Sequence, residues 1–164
     1  MLKAQIPAKN EIVNDAVGKT DTLKIPVKEQ LDDVVRTKAE YNRNDVVKKM
    51  SFFNEKAQMI YQDIQIDADY ISIDWNTGIV FARGKLDKNG RVIEPVITTQ
   101  AGKKYETDQF TFNYKTRQAI AYNARTEESE GVIVADKTKK ASDSVFMMKR
   151  GMYTTDDYFI KKKD

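Results

Sequence analysis

The sequence predicts an all-β protein, and two observations carry that prediction: sustained alternation of apolar and polar residues, and a strand–turn–strand unit that occurs twice. Alternation with a period of two places apolar side chains on one face of a strand and polar side chains on the other. Turn motifs rich in Gly, Asn and Asp recur at short intervals, as is typical of sandwiches, barrels and stacked hairpins. We therefore expect 35–157 to be almost wholly antiparallel β-structure, arranged as a jellyroll or a stack of hairpins.

Residues 1–30 are weakly patterned and are expected to form an N-terminal arm, followed by a β domain over 31–160. Proline favours extended backbone in the residue before it, so a short strand is expected near Leu23–Val27, which includes Pro26. A helix over 27–41 is the alternative, because four apolar residues lie near helical spacing: Val27, Leu31, Val34 and Val35.

The clearest alternation runs from Lys56 to Trp75, in the stretch KAQMIYQDIQIDADYISIDW. Its apolar phase consists of Ala57, Met59, Tyr61, Ile64, Ile66, Ala68, Ile71, Ile73 and Trp75. The β-branched and aromatic residues among them reinforce the strand prediction.

The repeated unit is ADYISIDWNTGIVFARG at 68–84 and TDQFTFNYKTRQAIAYN at 107–123, with an offset of 39 residues from Asp69 to Asp108. A single hairpin cannot bury its apolar face, whereas stacked hairpins form a continuous one. We therefore expect the two apolar triplets to share one interior in neighbouring layers. The triplets are Ile71, Ile73 and Trp75 in the first copy, and Phe110, Phe112 and Tyr114 in the second.

Two interpretations of that interior stay open. The bulky side chains fill a closed core, as in a scaffold or interaction module, or two opposed sheets leave an apolar groove that holds acyl chains. A groove would tolerate Phe112→Asp with a largely preserved fold but weakened lipid binding. The candidate groove residues are Met59, Tyr61, Ile66, Ile71, Ile73, Trp75, Phe110, Phe112, Tyr114, Ile120, Tyr122, Val132, Val134, Phe146 and Met148.

The composition argues against most catalytic and metal-binding classes. The chain has no cysteine and no histidine, so thiol nucleophiles, imidazole bases and zinc sites built from either are impossible. The balance of 28 basic and 25 acidic residues, a net charge of +3, is too even to imply a nucleic-acid surface. We expect a protein that is not an enzyme and has no metal or cofactor. The alternatives are acid–base catalysis by carboxylates such as Asp74 or those at 126–130, and an exposed aromatic platform that binds sugars or nucleic acid.

No apolar run approaches the ~20 residues that a membrane helix needs. The first residues, MLKAQIPAKNE, lack the apolar segment of a signal peptide. The expectation is either a cytoplasmic protein or a piece of a longer exported one.

The stretch from Lys56 to Ile97 resembles the OstA-like unit of lipopolysaccharide-export proteins. The matching pieces are a polar-alternating strand at Ala57–Tyr61, the A-D-x-I strand at Ala68–Ile73 and the V-x-A-x-G strand at Val80–Gly84. The runs YETDQFTFNYKTRQAIAYNARTEESEGVIVADKTKK and GMYTTDD are similar to the amino-terminal region of the LptD family of Bacteroidota-type bacteria, which assembles lipopolysaccharide at the outer membrane. The likeness covers 31–157. Many relatives have a cysteine after YTT where this chain has Asp156, so no disulfide is implied.

The resemblance implies an OstA/Lpt-like open β-jellyroll of stacked antiparallel strands at the periplasmic face of the outer membrane. Its interior would hold lipopolysaccharide acyl chains and pass them toward the outer membrane. The implied partners are lipopolysaccharide, other Lpt jellyrolls docked end to end through strand edges, and the protein's own or a partner's outer-membrane barrel, with no nucleic acid. Basic side chains at a mouth would meet sugar phosphates; the candidates are Lys103, Lys104, Arg117, Arg125, Lys137, Lys139 and Lys140.

Overall fold

The computed structural model describes residues 34–128, 130–142 and 145–156, and all regular secondary structure in these ranges is β. The predicted N-terminal arm, with its short strand near residue 25, lies outside the described residues. The alternative helix over 27–41 is wrong for its described part, residues 34–41. Arg36–Lys38 forms a strand that pairs with residues 58–60, and Tyr41 begins another.

The described residues form fourteen strands. They are β1 (Arg36–Lys38), β2 (Tyr41–Asp45), β3 (Met50–Tyr61), β4 (Ile64–Asp74), β5 (Ile79–Arg83), β6 (Lys85–Leu86), β7 (Val92–Glu94), β8 (Val96–Gln100), β9 (Lys103–Thr107), β10 (Gln109–Asn113), β11 (Gln118–Glu128), β12 (Gly131–Ser142), β13 (Val145–Lys149) and β14 (Met152–Thr154). Every pairing among them is antiparallel, as the alternation and tight turns predicted.

Twelve of the strands form one continuous hydrogen-bonded network. It divides into two branches, which we call the first and second sheets, because the two halves of the long strands β3, β4, β11 and β12 pair with different neighbours. The first sheet has the order β2-β3-β4-β5-β10-β11-β12-β13. The second has the order β1-β3-β4-β8-β9-β11-β12-β14. A short ribbon of β6 and β7 stands apart from both.

Local irregularities mark the points where long strands change sheet. In β3 the register with β4 shifts between Asn54 and Ala57, and Glu55 and Lys56 have positive φ angles of 60° and 51°. In β11, Asn123 has a φ of 51°, which asparagine tolerates better than most residues. Irregularities of this kind bend a strand and increase its twist, so a single strand can serve both sheets.

The two sequence repeats lie side by side in the first sheet, because β5 of the first hairpin pairs with β10 of the second. Two transverse rows of inward side chains result: Ile71, Ala82, Phe110 and Ala121 in one, and Ile73, Val80, Phe112 and Ala119 in the other. The expected common interior is confirmed. Four of the six repeat residues are buried in one core cluster, and Trp75 and Phe110 pack against it.

The repeat also preserves the chemistry of its turns. Asp74 Oδ1 accepts hydrogen bonds from the backbone N–H groups of Asn76 at 2.8 Å and Thr77 at 3.3 Å. Asn113, 39 residues later, accepts the equivalent bonds from Lys115 at 2.9 Å and Thr116 at 3.1 Å. Asp and Asn side chains favour such turns because they can satisfy backbone donors two or three residues ahead.

The filled part of the core lies where β3, β4, β5 and β8 meet. Met59, Ile66, Ile71, Ile73 and Val80 are at most 1% exposed there. Burial of one such side chain contributes about 1.5–3 kcal/mol to the free energy of unfolding. This part of the domain is therefore a packed core.

Candidate functional site

The interior is not filled in the part of the domain that is built mainly from β8 to β13. A cavity of about 110 Å³ lies there, and its wall is almost wholly apolar. The lining residues are Ile64, Thr98, Gln100, Tyr105, Thr107, Phe110, Phe112, Ala119, Ala121, Ala124, Thr126, Ile133, Ala135, Thr138, Lys140, Phe146 and Met148.

The cavity exists because small side chains occupy the inward positions of β11 and β12. Ala119, Ala121, Ala124 and Ala135 all line it. Facing sheets pack about 10 Å apart, a gap that bulky side chains interdigitating from both sheets fill and that alanines leave partly empty. In the same transverse row, Ile71 fills the space at one end and Ala121 leaves it open at the other.

Aromatic and methionine side chains form the remaining walls. Phe110 and Phe112 are stacked in β10, with ring centroids 6.4 Å apart and planes at 11°. Phe146 and Met148, on β13, line the cavity while remaining 51% and 49% exposed. The cavity therefore reaches the surface along β13, at the edge of the first sheet.

The predicted groove residues divide into three groups. Phe110, Phe112, Phe146 and Met148 line the cavity. A second group fills or flanks the packed core: Met59, Tyr61, Ile66, Ile71, Ile73, Trp75 and Tyr114. In this group Trp75 Nε1 donates to Ser51 Oγ at 2.8 Å, and the Tyr61 and Tyr114 rings lie 5.6 Å apart.

The third group, Ile120, Tyr122, Val132 and Val134, lies in the opposite phase from the cavity-lining residues of β11 and β12. Successive strand residues point to opposite faces, and Ala119, Ala121, Ile133 and Ala135 are the ones that line the cavity. Tyr122 is 39% exposed, with the Lys137 ammonium 5.1 Å from its ring centroid. None of these four residues lines the cavity, although Val132 is fully buried.

Sequence reasoning missed the alanine and threonine lining. It followed bulky side chains, whereas the space lies where side chains are short. One signal for short side chains was present in the sequence, because the alignment of the two repeats pairs Ala82 with Ala121. A second was the run of small residues in β11 and β12, including Ala124, Thr126 and Ala135.

Three of the seven basic candidates for a mouth are engaged with polar side chains on the surface. Lys103 pairs with Glu128 at 2.7 Å, Lys104 pairs with Glu106 at 3.2 Å, and Arg117 donates to Gln62. Lys140 is the candidate that lines the cavity. Its ammonium lies 5.9 Å from the ring centroid of Phe146, at the exposed end.

Asp74, considered as a catalytic acid or base, holds a turn. Hydrogen bonding by the Thr77 side chain, with lesser contributions from the backbone N–H groups of Asn76 and Thr77 and the charge of Lys115, lowers the pKa of its carboxyl. A lowered pKa keeps the group ionised, the opposite of what a general acid needs. The described residues contain no cluster of three or more side chains suited to hold a metal ion.

Across 34–128, 130–142 and 145–156, the chain has no helix of a length and hydrophobicity suited to crossing a bilayer.

Comparisons with known proteins show the fold. No protein-family model matches the sequence, and no curated protein does. Among solved structures, the chain is similar to LptH from Pseudomonas aeruginosa, described as the LptA-homologous periplasmic component of the conserved lipopolysaccharide transport device. The TM-score is 0.62 at 10% identity, and the match covers 76% of this chain and 96% of LptH. The predicted all-β jellyroll is thereby confirmed as the fold.

Proposed function

We propose that the protein is a periplasmic lipid-carrying jellyroll, which binds lipopolysaccharide acyl chains in the cavity and passes the lipid toward the outer membrane. The observation that carries this proposal is an apolar cavity, bounded by alanines and phenylalanines, that reaches the surface along an exposed strand. The likeness to a periplasmic component of lipopolysaccharide transport supports the same function.

The size of the cavity suits a flexible apolar chain. An engineered dry cavity of roughly 150 Å³ binds benzene, so about 110 Å³ accommodates a few methylene groups of one acyl chain. Each methylene removed from water contributes about 0.8 kcal/mol to binding. Because this stabilisation is non-directional, the chain can slide through the cavity, with its remainder crossing Phe146 and Met148 at the surface.

Docking to other jellyrolls is the second part of the proposal. Among the described residues, β13 ends the first sheet and β14 ends the second, and the apolar side chains of both strands are exposed. These are Val145, Phe146, Met147, Met148, Met152 and Tyr153, at 44–57%. Edge strands can accept a further strand by backbone pairing, and apolar side chains add contact area. We propose that this edge docks another Lpt jellyroll, in an assembly that leads to the protein's own or a partner's outer-membrane barrel, as in the LptD family.

A closed scaffold is the alternative, favoured by the completely filled core around Ile66 and Ile73. The two functions differ in one measurable property. A scaffold has no affinity for acyl chains, whereas a carrier binds them inside.

Binding of a fluorescent fatty acid tests the proposal directly. We expect its emission to rise on addition of the protein, because the chromophore enters an apolar cavity, and purified lipopolysaccharide to displace it competitively. Lipopolysaccharide stripped of its acyl chains is the matched competitor and should not displace the probe. Absence of probe binding, or equal displacement by the stripped polysaccharide, would favour the scaffold.

A further inference from the structure

Two threonines that line the cavity have buried hydroxyls without hydrogen-bond partners among the described residues. Thr98 on β8 is 4% exposed and Thr107 on β9 is 1% exposed, and both line the cavity. Neither Oγ1 has a partner among the residues that the structure describes.

Unpaired hydroxyls in this position are unusual. Most buried polar groups in proteins are hydrogen-bonded, and an unsatisfied one destabilises the fold. Thr126 lines the same cavity and is hydrogen-bonded in the usual way, since its hydroxyl donates to the backbone oxygen of Lys104 at 2.9 Å. Thr98 and Thr107 therefore have unused hydrogen-bonding capacity in the wall of the cavity.

The register of β8 and β9 fixes the spacing of the two hydroxyls. Thr98 lies opposite Tyr105, and Thr107 lies opposite Val96, so the two threonines are diagonal neighbours on one face. Diagonal neighbours are roughly 7–8 Å apart, too far for a direct hydrogen bond between them and close enough for one small polar group to lie between. Val96 and Phe112, both at most 2% exposed, supply apolar surroundings.

We infer that the cavity selects an acyl chain that carries a hydroxyl group, which Thr98 and Thr107 bind. This inference rests on the proposed function. A hydroxyl can donate to one threonine oxygen while accepting from the other, so it satisfies both. The hydrocarbon on either side of that hydroxyl would contact the alanine and phenylalanine walls. An unsubstituted chain would fill the same space and leave both threonines unpaired.

The test compares tetradecanoic acid with a set of monohydroxytetradecanoic acids that differ in the position of the hydroxyl, each displacing the fluorescent fatty acid. For the unaltered protein, we expect at least one hydroxylated acid to bind about tenfold more tightly than tetradecanoic acid, as two modest hydrogen bonds allow. In the double variant Thr98→Val, Thr107→Val, a methyl replaces each hydroxyl with little change of shape. It should bind tetradecanoic acid at least as tightly and lose the preference.

Thr126→Val is the matched control, because it changes the same wall but removes a hydroxyl that already has a partner. It should keep the preference. The inference is overturned if no hydroxylated acid is preferred by the unaltered protein, or if the double variant retains the preference. Failure of the proposed function is distinct, because then tetradecanoic acid itself would not bind.

Discussion

Phe112→Asp is expected to unfold the β domain, lowering the free energy of unfolding by several kcal/mol. Phe112 is 2% exposed and lies between Val80 and Ala119 on the neighbouring strands. Truncation of a buried phenylalanine to alanine already costs about 3–5 kcal/mol. An aspartate must additionally lose its hydration or become protonated. Because whole domains are stable by only about 5–15 kcal/mol, loss of the cooperative transition in urea unfolding is the expected result.

Thr111→Asp is the matched control for this variant. Thr111 precedes Phe112 and points to the other face of β10, where it is half-buried, so Thr111→Asp should destabilise the domain much less than Phe112→Asp. A normal urea midpoint for Phe112→Asp would contradict the packing described for this layer. On the open-groove interpretation, Phe112→Asp would leave the fold largely preserved. The structure instead places Phe112 at the boundary between the packed core and the cavity.

The double variant Ala121→Leu, Ala135→Leu is expected to lose at least 90% of acyl-chain binding, or about tenfold in affinity. Both alanines line the cavity, and each leucine adds three carbon atoms to a space of about 110 Å³. The added carbons occupy the positions proposed for chain methylenes, each of which contributes about 0.8 kcal/mol. The free energy of unfolding should be unchanged or raised, because the leucines fill empty space.

Gln118→Leu combined with Tyr122→Leu serves as the control, because these residues lie on the opposite face of β11. This control should bind the fluorescent fatty acid normally. If the Ala121→Leu, Ala135→Leu variant binds the probe as tightly as the unaltered protein does, the cavity is not the binding site. A loss of binding accompanied by a lower urea midpoint would mean overpacking rather than occlusion.

The sequence was sufficient to predict what depends on local pattern. Strand alternation, tight turns and the paired hairpins follow from period-two patterning and from Asx chemistry at Asp74 and Asn113, all of which operate within a few residues. The shared interior of the repeats followed because two copies of one hairpin present the same face when their edges pair.

The phase of β11 and β12 was not predictable in this way. The cavity is lined by Ala119 and Ala121 before Asn123, and by Ala124 and Thr126 after it, so the inward phase changes where the strand passes between sheets. A single continuous alternation cannot represent that change, which depends on contacts with other strands.

The location of the cavity also escaped sequence reasoning. Periodicity distinguishes inward from outward residues, but a cavity depends on the summed volumes of side chains from both sheets. Ile71 and Ala121 occupy the same row, and only the assembled fold shows that one end of that row is filled and the other is not.

Site-specific photo-crosslinking at adjacent positions of β10 tests the central claim most directly. Benzoylphenylalanine would replace Phe110, whose half-buried ring lines the cavity, or Thr111, whose side chain points to the opposite face. After irradiation with purified lipopolysaccharide, we predict a covalent lipid adduct from position 110 and none from position 111. Equal labelling at both positions, or no adduct at position 110, would contradict the account that acyl chains occupy this interior.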